Sequence, residues 1–418
     1  MIDDNEHPTH PKQQHCSIPS LFHNKMTSLT VESVHQTIDD VLQQISDYSS
    51  ASTSHNSKIV SWCRVLSPSD ESVPYAFGIE ASTPVANSAD KTEKVIASWS
   101  CYLGYSTWDG RMLYVDRVSC DDENDNNDQM SKNQMQTDHV YQILAKLAID
   151  LGCARLSWKE TIKPQWNPSH PPEFLEEWLF LEMDPPSMTE FLVSAGVDPH
   201  SRESAQCKVG NNPLTRSLVE HVVGKCIEQK SGAGKSKSVT YRLARPEDMD
   251  TVRHLVQQLA IYEKEPDAVN VTSEDYLLDG GSAEPLFCCI LVDVNEDDNK
   301  TTTTVGLGFF FFACAVGKGR FLYLDDLFVE EKHRGKGAGK GIMELLAHIA
   351  LSMECRKFVW TALDWNTPAL QFYEKIGAIR KVDEKITRYC RDDLKLFAYQ
   401  RLKKKCDQTG SECYLTTE

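Results

Sequence analysis

Arg334-Gly335-Lys336-Gly337-Ala338-Gly339-Lys340 stands where an apolar run, Phe321 to Val329, gives way to Ile342, Leu345, Leu346, Ile349 and Met353 at helical spacing. Strand, glycine turn and helix in that order decide how this part of the chain folds. Glycine at every second position strips the turn of side chains, so that successive backbone N–H groups can close around a diphosphate. The positive end of the following helix dipole points at the same place, and Arg334, Lys336 and Lys340 add charge around it. The loop reads as an anion cradle. Glycine turns before helices are common and many only cap a helix, so the neighbouring residues must decide its use.

The chain has 418 residues, 40% of them hydrophobic, enough for two folded units with linkers. No run is long and apolar enough to span a bilayer, and the acidic, His- and Pro-rich start lacks the features of a secretory signal, so a soluble cytoplasmic protein without membrane contact is expected. Fourteen cysteines are scattered through apolar segments (Cys101, Cys153, Cys288, Cys289, Cys314, Cys355) without paired CxxC spacing, which reads as free thiols. The net charge of -17 argues against nucleic acid and suits a cationic ligand. Most of the excess acid lies before Val239, because Val239 to Lys405 carries about 24 basic and about 26 acidic residues.

Residues 1–55 are polar, with one short helical candidate at Val34 to Ile45. A first unit, 56–190, has strands near Val95 to Tyr105 and Arg111 to Val118, an acidic loop from Asp121 to Asp138, and a helix from Val140 to Leu151. Residues 191–238 form a linker with helical candidates at Thr189 to Ala195 and Leu214 to Gln229, then a Ser-Gly-Ala-Gly-Lys-Ser run read as flexible spacer. The second unit, 239–405, opens a helix with Pro246, Glu247 and Asp248 and continues with strands at Phe287 to Val292, Val305 to Val316, Phe321 to Val329 and Phe358 to Ala362. A helix capped by Asn366 or Thr367 ends before Gly377, and strands are expected over Lys385 to Arg401. A tail, 406–418, follows. The pattern is α/β or α+β: a mixed, mostly antiparallel twisted sheet flanked by helices.

These elements and residues together resemble the GNAT acetyltransferases, and within them the spermidine/spermine (diamine) acetyltransferases. The resemblance rests on RLARPEDMDTV (Arg242 to Val252), LAIYEKEPDAV (Leu259 to Val269), LYLDDLFV (Leu322 to Val329), RGKGAGK (Arg334 to Lys340) and LDWNTPALQFYEKIGA (Leu363 to Ala378). It implies acetyl-CoA as co-substrate, with the diphosphate on Gly335, Lys336, Gly337, Ala338, Gly339 and Lys340 beside Arg334. Main-chain groups of Leu327, Phe328 and Val329 would meet the pantetheine arm, and Asn366, Thr367, Pro368 and Ala369 would form a second cofactor contact. Tyr373 matches the tyrosine taken to protonate the departing thiolate. Tyr262, Glu263, Asp325, Asp326, Val359, Trp360 and Thr361 match positions lining the amine channel. Mammalian polyamine enzymes carry Glu where this chain has Asp325, which leaves spermidine, a shorter diamine, ornithine, lysine and thialysine all open as acceptors.

The residues support that chemistry physically. An alkyl ammonium titrates near ~10.4 and cannot attack a thioester while protonated. Carboxylates such as Asp325 and Glu263 can draw in the cation and accept its proton, and a phenol at Tyr373 can donate to sulfur. Adjacent strand residues normally face opposite ways, so Asp325 and Asp326 reach one site only if a bulge intervenes. Direct transfer in a ternary complex needs no metal, and no zinc-ligand spacing occurs in the sequence.

The first unit echoes the second. GRMLYVDRV (Gly110 to Val118) lies against GRFLYLDDL (Gly319 to Leu327), LAKLAIDLGCARLSW (Leu144 to Trp158) against LAHIALSMECRKFVW (Leu346 to Trp360), and Trp166-Asn167 against Trp365-Asn366. Tandem GNAT folds are therefore expected, the first without a cradle: Asp121, Asp122, Glu123, Asp125 and Asp128 stand in its place, Arg117 matches Asp326, and Glu177 or Trp178 falls where Tyr373 would be. This first lobe is expected to pack on the second as a pseudo-dimer, or else to leave a homodimer through the second lobes.

Overall fold

The computed structural model describes residues 29–30, 32–41, 62–66, 76–84, 93–120, 141–161, 171–200, 216–232, 239–282, 285–296, 301–315 and 319–398. The acidic loop 121–138, the spacer 233–238 and the tail 406–418 lie outside the described residues. Helix α1 (32–41) overlaps the expected N-terminal candidate, starting two residues before it, and turns Val34, Ile38 and Val41 into the core.

Strands β1 (Trp62–Leu66), β2 (Ala76–Pro84), β3 (Glu93–Ser106) and β4 (Gly110–Cys120) form an antiparallel meander. Helix α2 (141–150) then leads to β5 (Arg155–Glu160), which runs parallel to β4. The short β6 (Glu173–Leu175) and β7 (Trp178–Met183) precede α3 (Pro185–Ser194), whose N-cap Asp184 accepts from the Ser187 N–H at 2.9 Å. Helix α4 (Arg216–Gly232) lies within the expected linker.

The second half begins with β8 (Val239–Leu243). A 3-10 turn at Pro246–Asp248 feeds α5 (Met249–Tyr262), and α6 (Ser273–Gly280) carries a Thr272–Asp275 capping box. Strands β9 (Cys288–Glu296), β10 (Thr301–Ala315) and β11 (Gly319–Val329) repeat the meander, helix α7 (Ala338–Ser352) follows the glycine turn, and β12 (Lys357–Leu363) returns parallel to β11. Helix α7 is buried around most of its circumference, because α3 and α4 pack on the side that the sheet leaves open. Helix α8 (Thr367–Lys375), β13 (Ile379–Lys381) and β14 (Lys385–Cys390) follow.

The expected strand over Lys385 to Arg401 stops at Cys390. Arg391 takes a φ of 50° and residues 391–398 are helical (α9). Leu394, Phe397 and Ala398, at i, i+3 and i+4, form its buried face, with Phe397 stacked 4.3 Å from Tyr389.

The two seven-stranded sheets are ordered β1-β2-β3-β4-β5-β14-β6 and β13-β7-β12-β11-β10-β9-β8. Each takes strands from the other half of the chain. Strand β7 pairs with β12 (Trp360 opposite Leu181) and β13, while β14 lies between β5 (Tyr389 opposite Leu156) and β6. A continuous aromatic layer joins the halves, with Tyr105 4.7 Å from Phe287 and Tyr102 edge-on to Phe321 at 5.4 Å.

An ion pair is sealed into this junction. Arg111 donates from Nε (2.9 Å) and Nη2 (2.7 Å) to Asp279 Oδ1, and the two side chains are 3% and 1% exposed. Removing one member of such a pair strands the other without its counter-ion. Asp279→Ala is therefore expected to lower stability by about 3–5 kcal/mol, read from urea denaturation. An unchanged midpoint would show that the pair does not hold the halves together.

Candidate active site

Strands β11 and β12 pair only from Phe321/Lys357 to Leu324/Trp360. Beyond that point β11 continues to Val329 and β12 to Leu363 without touching through backbone bonds, which opens a wedge between parallel strands. Leu327, Phe328 and Val329 use their other edge to pair with β10, so their chain borders the wedge. Strand β11 also bulges: Phe309 faces Asp326 and Phe310 faces Leu324, leaving Asp325 unopposed. The extra residue breaks the strict alternation and lets both aspartates reach one cluster, meeting the condition set by the sequence.

The cradle closes the wide end of the wedge. Gly335 (φ 74°) and Gly337 (φ 88°) are left-handed, a conformation that costs other residues energy. Nothing lies within 4 Å of where a Cβ would stand on either. Gly337 is the N-cap of α7, so the first-turn N–H groups of Ala338, Gly339 and Lys340 face out of the helix end. The side-chain cations are otherwise engaged. Lys340 Nζ lies 2.5 Å from Glu344 Oε1, a carboxylate that Lys230 of α4 also binds, and Lys336 Nζ donates to the Lys332 carbonyl at 3.2 Å. The Arg334 guanidinium lies 4.7 Å over the Tyr262 ring and 5.6 Å from that of Phe328, while its Nε donates to the Val329 carbonyl at 2.8 Å. Arg334 thus ties the cradle to the wedge.

The second expected cofactor contact forms the start of α8. Asn366 is its N-cap, Pro368 sits in the first turn, and Asn366 Oδ1 accepts from the Ala369 N–H (3.4 Å) and the Tyr262 hydroxyl (3.2 Å). Thr367 is exposed beside them.

Three carboxyl groups meet where α5 ends and β11 bulges. Glu263 is the C-cap of α5; burial, then the neighbouring Asp325, push it up to about 8. Burial drives Asp326 well above its usual range, helped by Asp325 and Glu263 and opposed by Thr107 and Arg155, and among the described residues its buried Oδ2 has no hydrogen-bond partner. Burial raises Asp325 as well, but Thr107 and Arg155 oppose the rise. Tyr373 faces the same cluster from α8: burial first, then Glu263 and Asp326, raise its phenol well above its normal value. Its ring packs 5.2 Å from Trp360 on β12. Val359 and Thr361 alternate to the other face of β12, where Val359 is paired with Tyr323. Of the three expected β12 residues, Trp360 is the one against the phenol.

Two further residues of the cluster come from the first half. Thr107, in the tight turn between β3 and β4, donates its N–H (2.8 Å) and hydroxyl (3.1 Å) to Asp325 Oδ2. Arg155, at the start of β5, adds positive charge. No local pattern singles either out, since the contact to Asp325 spans more than two hundred residues of chain.

In the first half β4 bulges at Asp116, with Ser100 facing Arg117 and Cys101 facing Val115. Strands β4 and β5 pair only from Met112/Arg155 to Val115/Trp158. Glu177 stands in the β6–β7 turn and Trp178 opens β7, so neither lies on a helix.

The model of the acetyltransferase (GNAT) family matches residues 252–378, from within α5 to just past α8. Thialysine N-epsilon-acetyltransferase of Sus scrofa is 32% identical over 143 residues, 34% of this chain and 84% of that protein. Spermidine/spermine N(1)-acetyltransferase-like protein 1 of Homo sapiens is 29% identical over 163 residues, 38% of this chain and 24% of its own. An integron cassette protein from the mobile metagenome of V. cholerae is similar in structure with a TM-score of 0.32, at 25% identity over 39% of this chain and 99% of that one. The family match and the similarity to a thialysine acetyltransferase place this wedge and its glycine-started helix in an acyltransferase. The chain is a member of the GNAT acetyltransferase family, and its class of activity is N-acetyl transfer.

Proposed function

We propose that the chain transfers the acetyl group of acetyl-CoA to a primary amine of a small aliphatic diamine or polyamine, by direct attack in a ternary complex. The observation that carries this reading is the cluster of Glu263, Asp325 and Asp326 beside Tyr373 at the β11–β12 wedge. A cluster of carboxyl groups suits a cationic acceptor. The named substrates of similar proteins, thialysine and spermidine/spermine, share a primary ammonium on a short aliphatic chain.

The residues present fit acetyl-CoA. Left-handed glycines with open space above them and the outward N–H groups of α7 suit a diphosphate. Bound there, acetyl-CoA supplies an activated thioester. The protein's own groups manage protons. Glu263, with a pKa of about 8, takes one from the acceptor ammonium before attack and so frees the nitrogen lone pair that forms the N–C bond. The neutral phenol of Tyr373 gives one to sulfur as the C–S bond breaks, and the phenolate left behind takes the second proton from the acylated nitrogen. The test is thiol release from acetyl-CoA with spermidine, spermine, a short diamine, ornithine, lysine and thialysine. Turnover is expected with the polyamine or diamine; turnover confined to lysine or thialysine would move the acceptor to amino acids. Tight acetyl-CoA binding without turnover on any amine would instead make the chain a CoA-binding regulator.

We also infer that the first half is a second, non-catalytic GNAT-like copy that takes the place of a partner subunit. Equivalent details support the duplication. Gly110 and Gly319 have φ of 88° and 85°, and Arg111 and Arg320 each donate from Nη1 to the carbonyl after their helix, Leu151 (3.5 Å) and Met353 (2.6 Å). Light scattering is expected to give the mass of a single chain, 47.2 kDa. A stable homodimer joined through the second halves would remove the substitution idea.

A further inference from the structure

The turn between β3 and β4 is held from several sides. The Thr107 carbonyl accepts from the Tyr276 hydroxyl of α6 at 2.6 Å, and the Trp108 carbonyl accepts from the Asn270 N–H at 2.9 Å. Asp109 is gripped by Arg155 and by Arg391, whose Nε lies 2.9 Å from Oδ1. Thr107 itself is 1% exposed. A turn fixed in this way delivers two donors to one oxygen of Asp325.

We propose that Thr107 is a positioning residue for the acceptor pocket of the other half: its two donations fix Asp325 as the standing anion and leave the mobile proton to Glu263 and Asp326. The proposal rests on the acetyltransferase reading above and divides labour among three carboxyl groups that the sequence leaves equivalent. Most charged or titratable neighbours fit the division; Thr107 and Arg155 also act to lower Asp326, where burial and the charges of Asp325 and Glu263 outweigh them. Arg155 from β5 favours the Asp325 anion, Asp109 from the turn opposes it, and Tyr323 on β11 and Tyr276 on α6 stay neutral because burial raises both phenols. Asp326 on the same strand and Glu263 on α5 are the two groups that the Asp325 charge pushes toward their protonated forms. The first half thereby takes part in the chemistry without touching the acceptor nitrogen.

Full-length Thr107→Val keeps the shape and removes one of the two donors. Losing a bond to the anion destabilises the fully deprotonated cluster and lets the proton spread onto Asp325, so the acid limb of kcat/KM moves to higher pH. The expected shift is about one pH unit, the size of one hydrogen bond to a charged group, with about a tenfold loss at pH 7. Thr107→Ser restores the wild-type profile, and acetyl-CoA affinity by calorimetry is unchanged in both. A Val profile that superimposes on wild type, or one that is lowered equally at every pH, overturns the proposal. If Val fails to fold, Thr107→Ala takes its place with the same expectation. Carboxyl carbon NMR, with Glu263 assigned through Glu263→Gln, reads the same upward shift without turnover. An inactive wild type would therefore sink the acetyltransferase reading while this titration still decides the role of Thr107.

Discussion

Tyr373→Phe is expected to lower kcat by about a hundredfold or more while leaving acetyl-CoA affinity within about twofold. The substitution removes one oxygen. The ring that packs on Trp360 at 5.2 Å remains, so the helix–strand contact between α8 and β12 survives. What is lost is a buried phenol kept protonated by burial and by the carboxylates of Glu263 and Asp326. A leaving thiolate, with the ordinary thiol range near ~8.5, is basic enough at neutral pH to take a proton from a neighbouring acid as the bond to carbon weakens. A loss in kcat with binding retained marks an interaction made only in the transition state. Steady-state kinetics with calorimetry make the measurement. Full turnover in the Phe variant would return Tyr373 to the role of a core aromatic.

Much of this site could be read along the chain because its signals are local. The cradle depends on glycine spacing and the helix that follows, and α8 announces itself through Asn366, Pro368 and Gly377. The Asp325 bulge was legible only as a condition. Two neighbouring acids imply it if they share a site, but the register shift opposite Phe309 and Phe310 is settled by pairing with β10. Strand exchange was hidden for a stronger reason. Strand β7 is a short apolar run and β14 a short strand buried at alternate residues, and such segments do not state which sheet they will join; long-range packing does. Residues 391–398 read as strand because β-forming residues precede them, and tertiary burial of Leu394 and Phe397 decided for helix. Thr107 was invisible for the same reason as β7. Its function comes from what the folded halves bring together.

Glu263→Gln separates the catalytic carboxyl from its neighbours by two effects of opposite sign. In the wild type, kcat/KM should rise through about pH 8 as Glu263 loses its proton and becomes able to accept one. The acceptor's own titration near ~10 is common to both proteins and cancels in the comparison. Gln cannot titrate, so the limb near 8 disappears and activity falls by about a hundredfold at its plateau. Stability moves the other way. The folded pKa of Glu263 lies above its ordinary 4.5, so between those values the native state keeps a proton that the unfolded chain has released. The contribution of Glu263 to wild-type stability therefore falls as pH rises from about 4.5 to about 8 and is flat above that. The Gln variant carries no charge to bury beside Asp325. Its Tm should match wild type near pH 4 and exceed it at pH 9. General damage to the fold would lower activity and Tm together, whereas a buried base removed from its site gives a slower and more stable enzyme. A Gln variant that keeps the limb near pH 8 would assign that titration to Asp326 instead.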